Sequence, residues 1–97
     1  MAEHASVVRI THFQPASGKR QELTAALQAV ADAIRSAEGC FGVQVCSVRE
    51  LPEVVAIISR WSDQASLDRV LQGDTVDMRG VDALTSSPPA SEHLTPV

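Results

Sequence analysis

The stretch VVAIISRW at residues 54–61 constrains the fold of this chain more than any other segment. Its β-branched residues predict a strand, and the strand is apolar at both odd and even positions. Because successive side chains of a strand point to opposite faces of the sheet, both faces of this sheet must be covered. The chain offers two helical segments, which are enough for one face of a small sheet. We expect a second copy of the chain to cover the other face, with the ring of Trp61 at the rim of that face.

Hydrophobic periodicity predicts the remaining elements. Apolar residues alternate with polar ones in the strands, and they recur at intervals of three and four residues in a long amphipathic helix. Ser62 is the expected N-cap of a shorter helix, which Gly73 interrupts. The predicted strands are residues 7–13, 41–48, 54–61 and 92–97, and the predicted helices are residues 19–37 and a segment from 62 to 73, followed by a weakly helical or irregular piece over 74–84.

This order of elements predicts an α+β fold of the ferredoxin-like βαββαβ type, with a four-stranded antiparallel sheet and both helices on one face. In a monomer the opposite face would be a large exposed apolar patch, which monomers rarely tolerate. Two such sheets packed face to face would remove the patch, so we expect a homodimeric α+β barrel. The length of 97 residues predicts one domain over residues 1–97, with its core at residues 7–73 and a C-terminal strand at about 92–97.

Composition and charge restrict the partners of this domain. The net charge of −4 and the scattered basic residues argue against nucleic acid, because phosphate binding needs clustered Lys and Arg. No apolar run approaches the roughly 18–20 residues of a membrane span, and residues 1–4 do not begin an export signal. Cys40 and Cys46 lie six positions apart on one predicted strand, about 20 Å from each other. They are too distant for a disulfide, so we expect two thiols and a cytoplasmic protein.

Several short motifs, taken in their order along the chain, resemble the antibiotic biosynthesis monooxygenase family of dimeric α+β barrels. The resemblance covers roughly residues 7–73. The matching features are PASGK at 15–19 after the first strand, EGCFG at 38–42 at the end of the long helix, LPE at 51–53 in the hairpin, and RWS at 60–62 leading into Leu67.

The resemblance implies a cofactor-independent monooxygenase that uses O2 on a small phenol- or quinol-like aromatic substrate, with neither a cofactor nor a metal. A carbanion formed from such a substrate can react with O2 directly, so the protein need only bind, deprotonate and exclude water. The heme-degrading branch of the family uses an Asn on the first strand and a Trp and a His on the second helical region. Here the first-strand position is Thr11, and no Trp or His occurs between Ser62 and Glu92, so heme degradation is not expected.

The resemblance also selects candidate substrate-binding residues. Trp61 matches a family Trp at the end of the third strand, and it either stacks on a planar substrate or plugs a dimer core. Ser59 shares its face by the period of two. The family comparison favours the face of Arg9, Thr11 and Phe13 as the cavity side. Arg9 would hold an anionic substrate oxygen, or would form an ion pair with a carboxylate at the sheet edge.

Two further polar residues lie on the other parity of their strands. His12 is the best general base by residue type, although its strand parity leaves open whether it faces the pocket or the helices. Gln44 shares the side of Cys46, where it would hydrogen-bond a ligand or a neighbour across the dimer. A metal pair of His12 and His93 lacks a third ligand at diagnostic spacing, so no metal site is predicted.

Two other functions remain open at this point. The absence of Tyr and Asn favours a non-catalytic barrel that holds a small apolar ligand. An isomerase or cyclase would use the same pocket, because deprotonation without O2 needs the same groups. An oxygenase requires a base within hydrogen-bond reach of a bound phenol, whereas a binding barrel requires only apolar volume. The pocket itself is expected either between sheet and helices or at the dimer seam.

Overall fold

The ferredoxin-like order is confirmed by a computed structural model, which describes residues 5–73 and 78–97. Its elements are β1 (Val7–Phe13), α1 (Arg20–Arg35), β2 (Cys40–Val48), β3 (Leu51–Trp61), α2 (Gln64–Gln72), α3 (Arg79–Asp82) and β4 (Ala90–Leu94). Within the piece predicted as weakly helical, α3 is a single short turn, and residues 74–77 lie outside the described ranges. In the part of the chain that the structure describes, no helix is long and apolar enough to cross a membrane.

The four strands form one antiparallel sheet in the order β2-β3-β1-β4. The central strand β1 is therefore hydrogen-bonded on both sides. Its Thr11 is paired with Ile57 of β3 and with Ser91 of β4. These two registers decide which side chains of three strands meet on each face, because residues directly opposite each other share a face.

The last strand differs from its predicted bounds of 92–97. It begins at Ala90, immediately after the Pro88-Pro89 pair, and it ends at Leu94. The reason is that Pro96 has no backbone N–H to donate to the sheet, so pairing stops before it. The shift brings Ser91 into the strand, with consequences for the site described below.

The core lies between the sheet and α1. The spacing of the buried residues Leu23, Leu27, Val30 and Ala31 gives α1 one apolar stripe, and no Gly or Pro interrupts it. This stripe packs on side chains from β1, β2 and β3. The buried sheet residues of this cluster are Phe13, Val43, Val55 and Ile57.

Trp61 lies on the helix-covered face, so its expected position at the rim of the second face is wrong. Its side chain is 0% exposed and belongs to a second buried cluster with Val7, Leu67 and Val70. The odd positions of β3 face the helices, and α2 follows directly after Trp61 and folds back over the strand end. The ring is therefore buried within one subunit.

The opposite face carries apolar side chains at the even strand positions. Ile10 and Ile58 are paired there across β1 and β3, and both are half-buried. None of the described helices packs on this face, because the buried residues of α1 and α2 contact the odd positions. The sheet therefore carries apolar side chains on both faces, as the sequence of residues 54–61 predicts.

The N-cap of α2 is Asp63 and not Ser62, as the sequence had suggested. The Asp63 carboxylate accepts the backbone N–H of Ser66 at 2.7 Å. Ser62 still belongs to the sheet end, where its backbone N–H donates to the Gly39 carbonyl at 2.8 Å. The bond from Ser66 lowers the pKa of the Asp63 carboxyl. The cap therefore stabilises α2 while the carboxylate is ionised, and this contribution is lost as the pH falls through the lowered pKa.

Gly39 sits where the turn after α1 passes closest to the start of α2. Its φ of 84° lies in the left-handed region that favours glycine. A Cβ at this position would overlap the Ser66 side chain and would lie 2.9 Å from the Ser62 hydroxyl. The position therefore requires glycine both for its backbone conformation and for its lack of a side chain.

We predict that Gly39→Ala destabilises the protein more than Gly18→Ala. Gly18 has a similar φ of 75°, but a Cβ there meets nothing within 4 Å, so its cost is the backbone strain of about 1–2 kcal/mol. Gly39→Ala adds the overlap with Ser66, which costs about 1–3 kcal/mol more. Urea unfolding of both variants measures the difference. Equal losses of unfolding free energy would show that Ser66 moves away without cost.

Candidate functional site

A small cavity lies between the helix-covered face of the sheet and the helices. Its volume is about 120 Å³, somewhat below the 150 Å³ or so of an engineered apolar cavity that holds benzene. It therefore has room for at most one aromatic ring. It is lined by Arg9, Thr11, Phe13 and Ile57 of the sheet, Val30 and Ile34 of α1, Val70 and Leu71 of α2, and Met78.

Strand β1 supplies the polar side of this cavity. The period of two brings Arg9, Thr11 and Phe13 together on the wall that faces α1. Thr11 is only 3% exposed, and it lies opposite Ile57 in the sheet. The remaining lining side chains are apolar, so the polar groups are concentrated on one side of an otherwise hydrophobic space.

A hydrogen-bonded network connects β1 to β4 at this wall. The Arg9 guanidinium donates from Nε to His93 Nε2 at 3.2 Å and from Nη2 to Ser91 Oγ at 3.1 Å. Ser91 Oγ also lies 2.9 Å from Thr11 Oγ1. The register causes these contacts, because Arg9 is paired with His93 and Thr11 with Ser91. Since His93 Nε2 accepts a hydrogen bond, this network assigns the proton of the neutral ring to Nδ1.

The network contains a cation and no anion. Burial lowers the pKa of the Arg9 guanidinium, but an arginine stays protonated at neutral pH. The ion pairs among the described residues lie elsewhere: Lys19 with Glu22, Arg35 with Asp32, and Arg69 with Glu38. The ion pair that the sequence offered as an alternative role for Arg9 is thus not formed within residues 5–73 and 78–97.

Trp61 and Ser59 form a buried pair beside the cavity. The indole Nε1 donates to Ser59 Oγ at 2.8 Å, and both residues are buried. Neither is among the described lining residues. Val70 connects the two regions, because it lines the cavity and belongs to the same cluster as Trp61. Trp61 therefore lies one layer behind the cavity wall.

His12 and Gln44 lie on the face opposite the cavity. His12 is paired with Ala56 and Ala90, and Gln44 is paired with Ile58. His12 lines a shallow groove of that face with Val54 and Pro88, among others. The structure therefore does not bring His12 or Gln44 to Arg9 and Thr11. It also separates His12 from His93, which is on the cavity side with Arg9.

The sequence did not predict Ser91 or His93 as partners of Arg9 and Thr11. Ser91 precedes the predicted last strand of residues 92–97, and His93 is considered above only as a metal ligand. The topology predicts that the last strand of a ferredoxin-like sheet neighbours the first, but only the register identifies which side chains of that strand meet Arg9 and Thr11. Ser91 and His93 are connected to the cavity through their hydrogen bonds to Arg9 and Thr11, and neither is among its described lining residues.

Comparison with known proteins identifies the type of domain. The family model described as antibiotic biosynthesis monooxygenase matches residues 6–77. A comparison with curated protein sequences gave no match.

Solved structures resemble the whole chain. Rv0793 from Mycobacterium tuberculosis is 22% identical with a TM-score of 0.82, and the match covers 94% of each chain. PA3566 from Pseudomonas aeruginosa is 21% identical with a TM-score of 0.83, covering 100% of this chain and 99% of the other. A candidate antibiotic biosynthesis monooxygenase from Caulobacter crescentus is 13% identical with a TM-score of 0.85, covering 98% and 92%. At these identities the likeness shows the fold alone.

The geometry of Trp61 and Ser59 predicts a coupled effect on stability. Ser59→Ala leaves the buried indole N–H without an acceptor, which costs about 1–3 kcal/mol of unfolding free energy. The same change in a Trp61→Phe background removes no partner and should cost clearly less. Urea unfolding of the wild type, both single variants and the double variant measures the coupling. Additive losses would contradict the role of this hydrogen bond.

Proposed function

Because this chain belongs to the antibiotic biosynthesis monooxygenase family, we propose that it is a cofactor-independent monooxygenase acting on a small phenol- or quinol-like aromatic molecule. The observation that carries the proposal is the cavity of about 120 Å³, apolar except for the wall of Arg9 and Thr11. Its size matches one aromatic ring. Its polar wall places hydrogen-bonding groups where the hydroxyl of such a ring would lie.

The proposed reaction needs no group beyond substrate and O2. The phenol loses its proton, the electron-rich ring adds O2, and the product is a quinone. One oxygen atom enters the quinone and the other leaves as water, so a phenol and one O2 give one quinone and one water. The apolar walls from α1, α2 and β3 exclude water from the reactive anion.

We assign the proton acceptor to His93 instead of His12. His93 Nε2 lies 3.2 Å from Arg9 Nε, next to the cavity wall, whereas His12 is on the opposite face. An Arg9 N–H now occupies the acceptor position of His93. A bound substrate that draws the guanidinium away would expose Nε2 for proton transfer. Thr11 and Ser91, whose hydroxyl oxygens are 2.9 Å apart, would hold the substrate oxygen.

We also propose a homodimer closed over the face that carries Ile10 and Ile58. Members of this family are typically dimers, and that face has half-buried apolar side chains at the even strand positions. His12 and Gln44 lie on it, so their role would be to contact the second copy.

The two free thiols, Cys40 and Cys46, support a cytoplasmic location. The proposed domain is the whole chain, residues 1–97.

A non-catalytic binding barrel is the second candidate. The observation that favours it is that Arg9, Thr11, Ser91 and His93 hydrogen-bond one another, so that the acceptor nitrogen of His93 is engaged by Arg9. An isomerase or cyclase would use the same cavity and the same base, but it would leave O2 unconsumed. The three functions therefore differ in what happens to O2 and to the bound ring.

Oxygen uptake by the chelator-treated dimer with single-ring phenols and quinols tests the proposal. We expect one O2 consumed per quinone formed, above the rate of autoxidation without protein. His93→Gln should lower the rate by about 100-fold or more, the effect of losing a general base. His12→Gln is the matched control and should change the rate less than about twofold.

The other outcomes identify the alternatives. Ligand binding with no uptake across the panel would favour the binding barrel. Product formation without O2 consumption would favour the isomerase or cyclase. An equal loss of activity in His12→Gln and His93→Gln would show that His93 is not the base.

A further inference from the structure

The Arg9 guanidinium is a cation in a mainly apolar cavity, and no residue that the structure describes gives it a counter-ion. An arginine has five N–H donors, and the network uses two of them, one from Nε and one from Nη2. Three donors, two on Nη1 and one on Nη2, are left without a partner among the described residues. A half-buried cation is costly unless it is paired, so this arrangement favours binding of an anion.

Within residues 5–73 and 78–97, the neighbours of Arg9 do not provide that anion. Its cross-strand partners are Ser59 and His93, both neutral when His93 accepts from Arg9. Glu92 is adjacent to His93 in sequence, but it is paired with Ile10 on the opposite face. No ion pair of the described residues includes Arg9. The cavity that Arg9 lines is the place where a ligand would bring an anion to it.

We infer that the ligand of this cavity is a monocyclic aromatic acid whose carboxylate binds the free end of the Arg9 guanidinium. The volume of about 120 Å³ limits the ring count to one. The two nitrogens Nη1 and Nη2 offer the parallel donors that match a carboxylate. The inference rests on the proposed function only in treating this ligand as the substrate.

Charge and ionisation select a carboxylate over other anions. A carboxylic acid with a pKa near 4 is ionised at neutral pH, whereas a phenol with a pKa near 10 is not. A phosphate would bring up to two negative charges, but Arg9 is the one cationic side chain among the described lining residues. A single carboxylate therefore balances the single guanidinium. The phenol hydroxyl of the same ring would then bind His93 and the hydroxyl groups of Thr11 and Ser91.

Calorimetric titration of the dimer with hydroxybenzoates and with the matching neutral hydroxybenzamides tests the inference. We expect the acid of a matched pair to bind about tenfold or more tightly than its amide, as a charge-assisted hydrogen bond implies. Arg9→Gln should abolish this preference. Arg9→Lys, which keeps the charge without the paired donors, should retain only part of it. Arg49→Gln removes an exposed arginine of the hairpin turn and should leave the preference unchanged.

Two results would overturn the inference. The first is equal binding of acids and amides by the wild type. The second is an Arg9→Gln variant that keeps the preference for acids. A weaker dimer of that variant in sedimentation would then show that Arg9 pairs with the second copy instead of with the ligand. Circular dichroism and thermal unfolding of each variant establish that it is folded.

The same experiment separates this inference from the proposed function. A preference for acids that depends on Arg9, together with no O2 uptake, would support the inference and contradict the oxygenase. O2 uptake with neutral phenols and no preference for acids would support the oxygenase and contradict the inference.

Discussion

The pairing of β1 with β4 is the interaction on which the candidate site depends. Arg9 reaches His93 and Ser91 because Arg9 is opposite His93 and Thr11 is opposite Ser91. A slip of one residue in this register would turn β4 over and carry both partners to the other face. The edge strand β4 is exposed along its whole length, so little hydrophobic burial holds it within one subunit. Its hydrogen bonds to β1 and the side-chain network maintain the register.

Helix packing gives the cavity its shape. The stripe of α1 covers the middle of the sheet, and α2 folds back over Trp61 at the end of β3. The tight approach at Gly39 and the cap at Asp63 fix where α2 begins. Between the two helices the sheet is left incompletely covered above Arg9 and Thr11. The ring-sized space is thus a consequence of where α2 starts, and Trp61 supports one of its walls from behind.

The sequence predicts the fold well because its signals are periodic. The apolar residues at both parities of 54–61 predict a sheet that is covered on both faces. The apolar stripe of residues 23–31 predicts the helix that covers one of these faces. The placement of the site was harder to predict. Trp61 is one of the odd positions of β3, but periodicity alone does not say which parity faces the helices. The period of two along the first strand did place Arg9, Thr11 and Phe13 on one face, and the family resemblance favoured that face as the cavity side.

The residues that β4 contributes were hard to predict for a different reason. Its bounds depend on two prolines and on pairing with a strand about 80 residues away, which a short sequence window does not contain. The partners of Arg9 therefore became visible only when the register was known. Gln44 and His12 show the converse: their residue types suit a binding site, but their strand parity places them on the other side of the sheet.

The central claim is that the cavity between sheet and helices, and not the seam between two copies, binds a single-ring acid through Arg9. A crystal structure of the protein with a bound hydroxybenzoate tests this claim most directly. The account predicts the ring between Ile57 and Val30, with the carboxylate within hydrogen-bond distance of Nη1 and Nη2 of Arg9. A ring bound on the opposite face, beside His12 and Ile58, would contradict it.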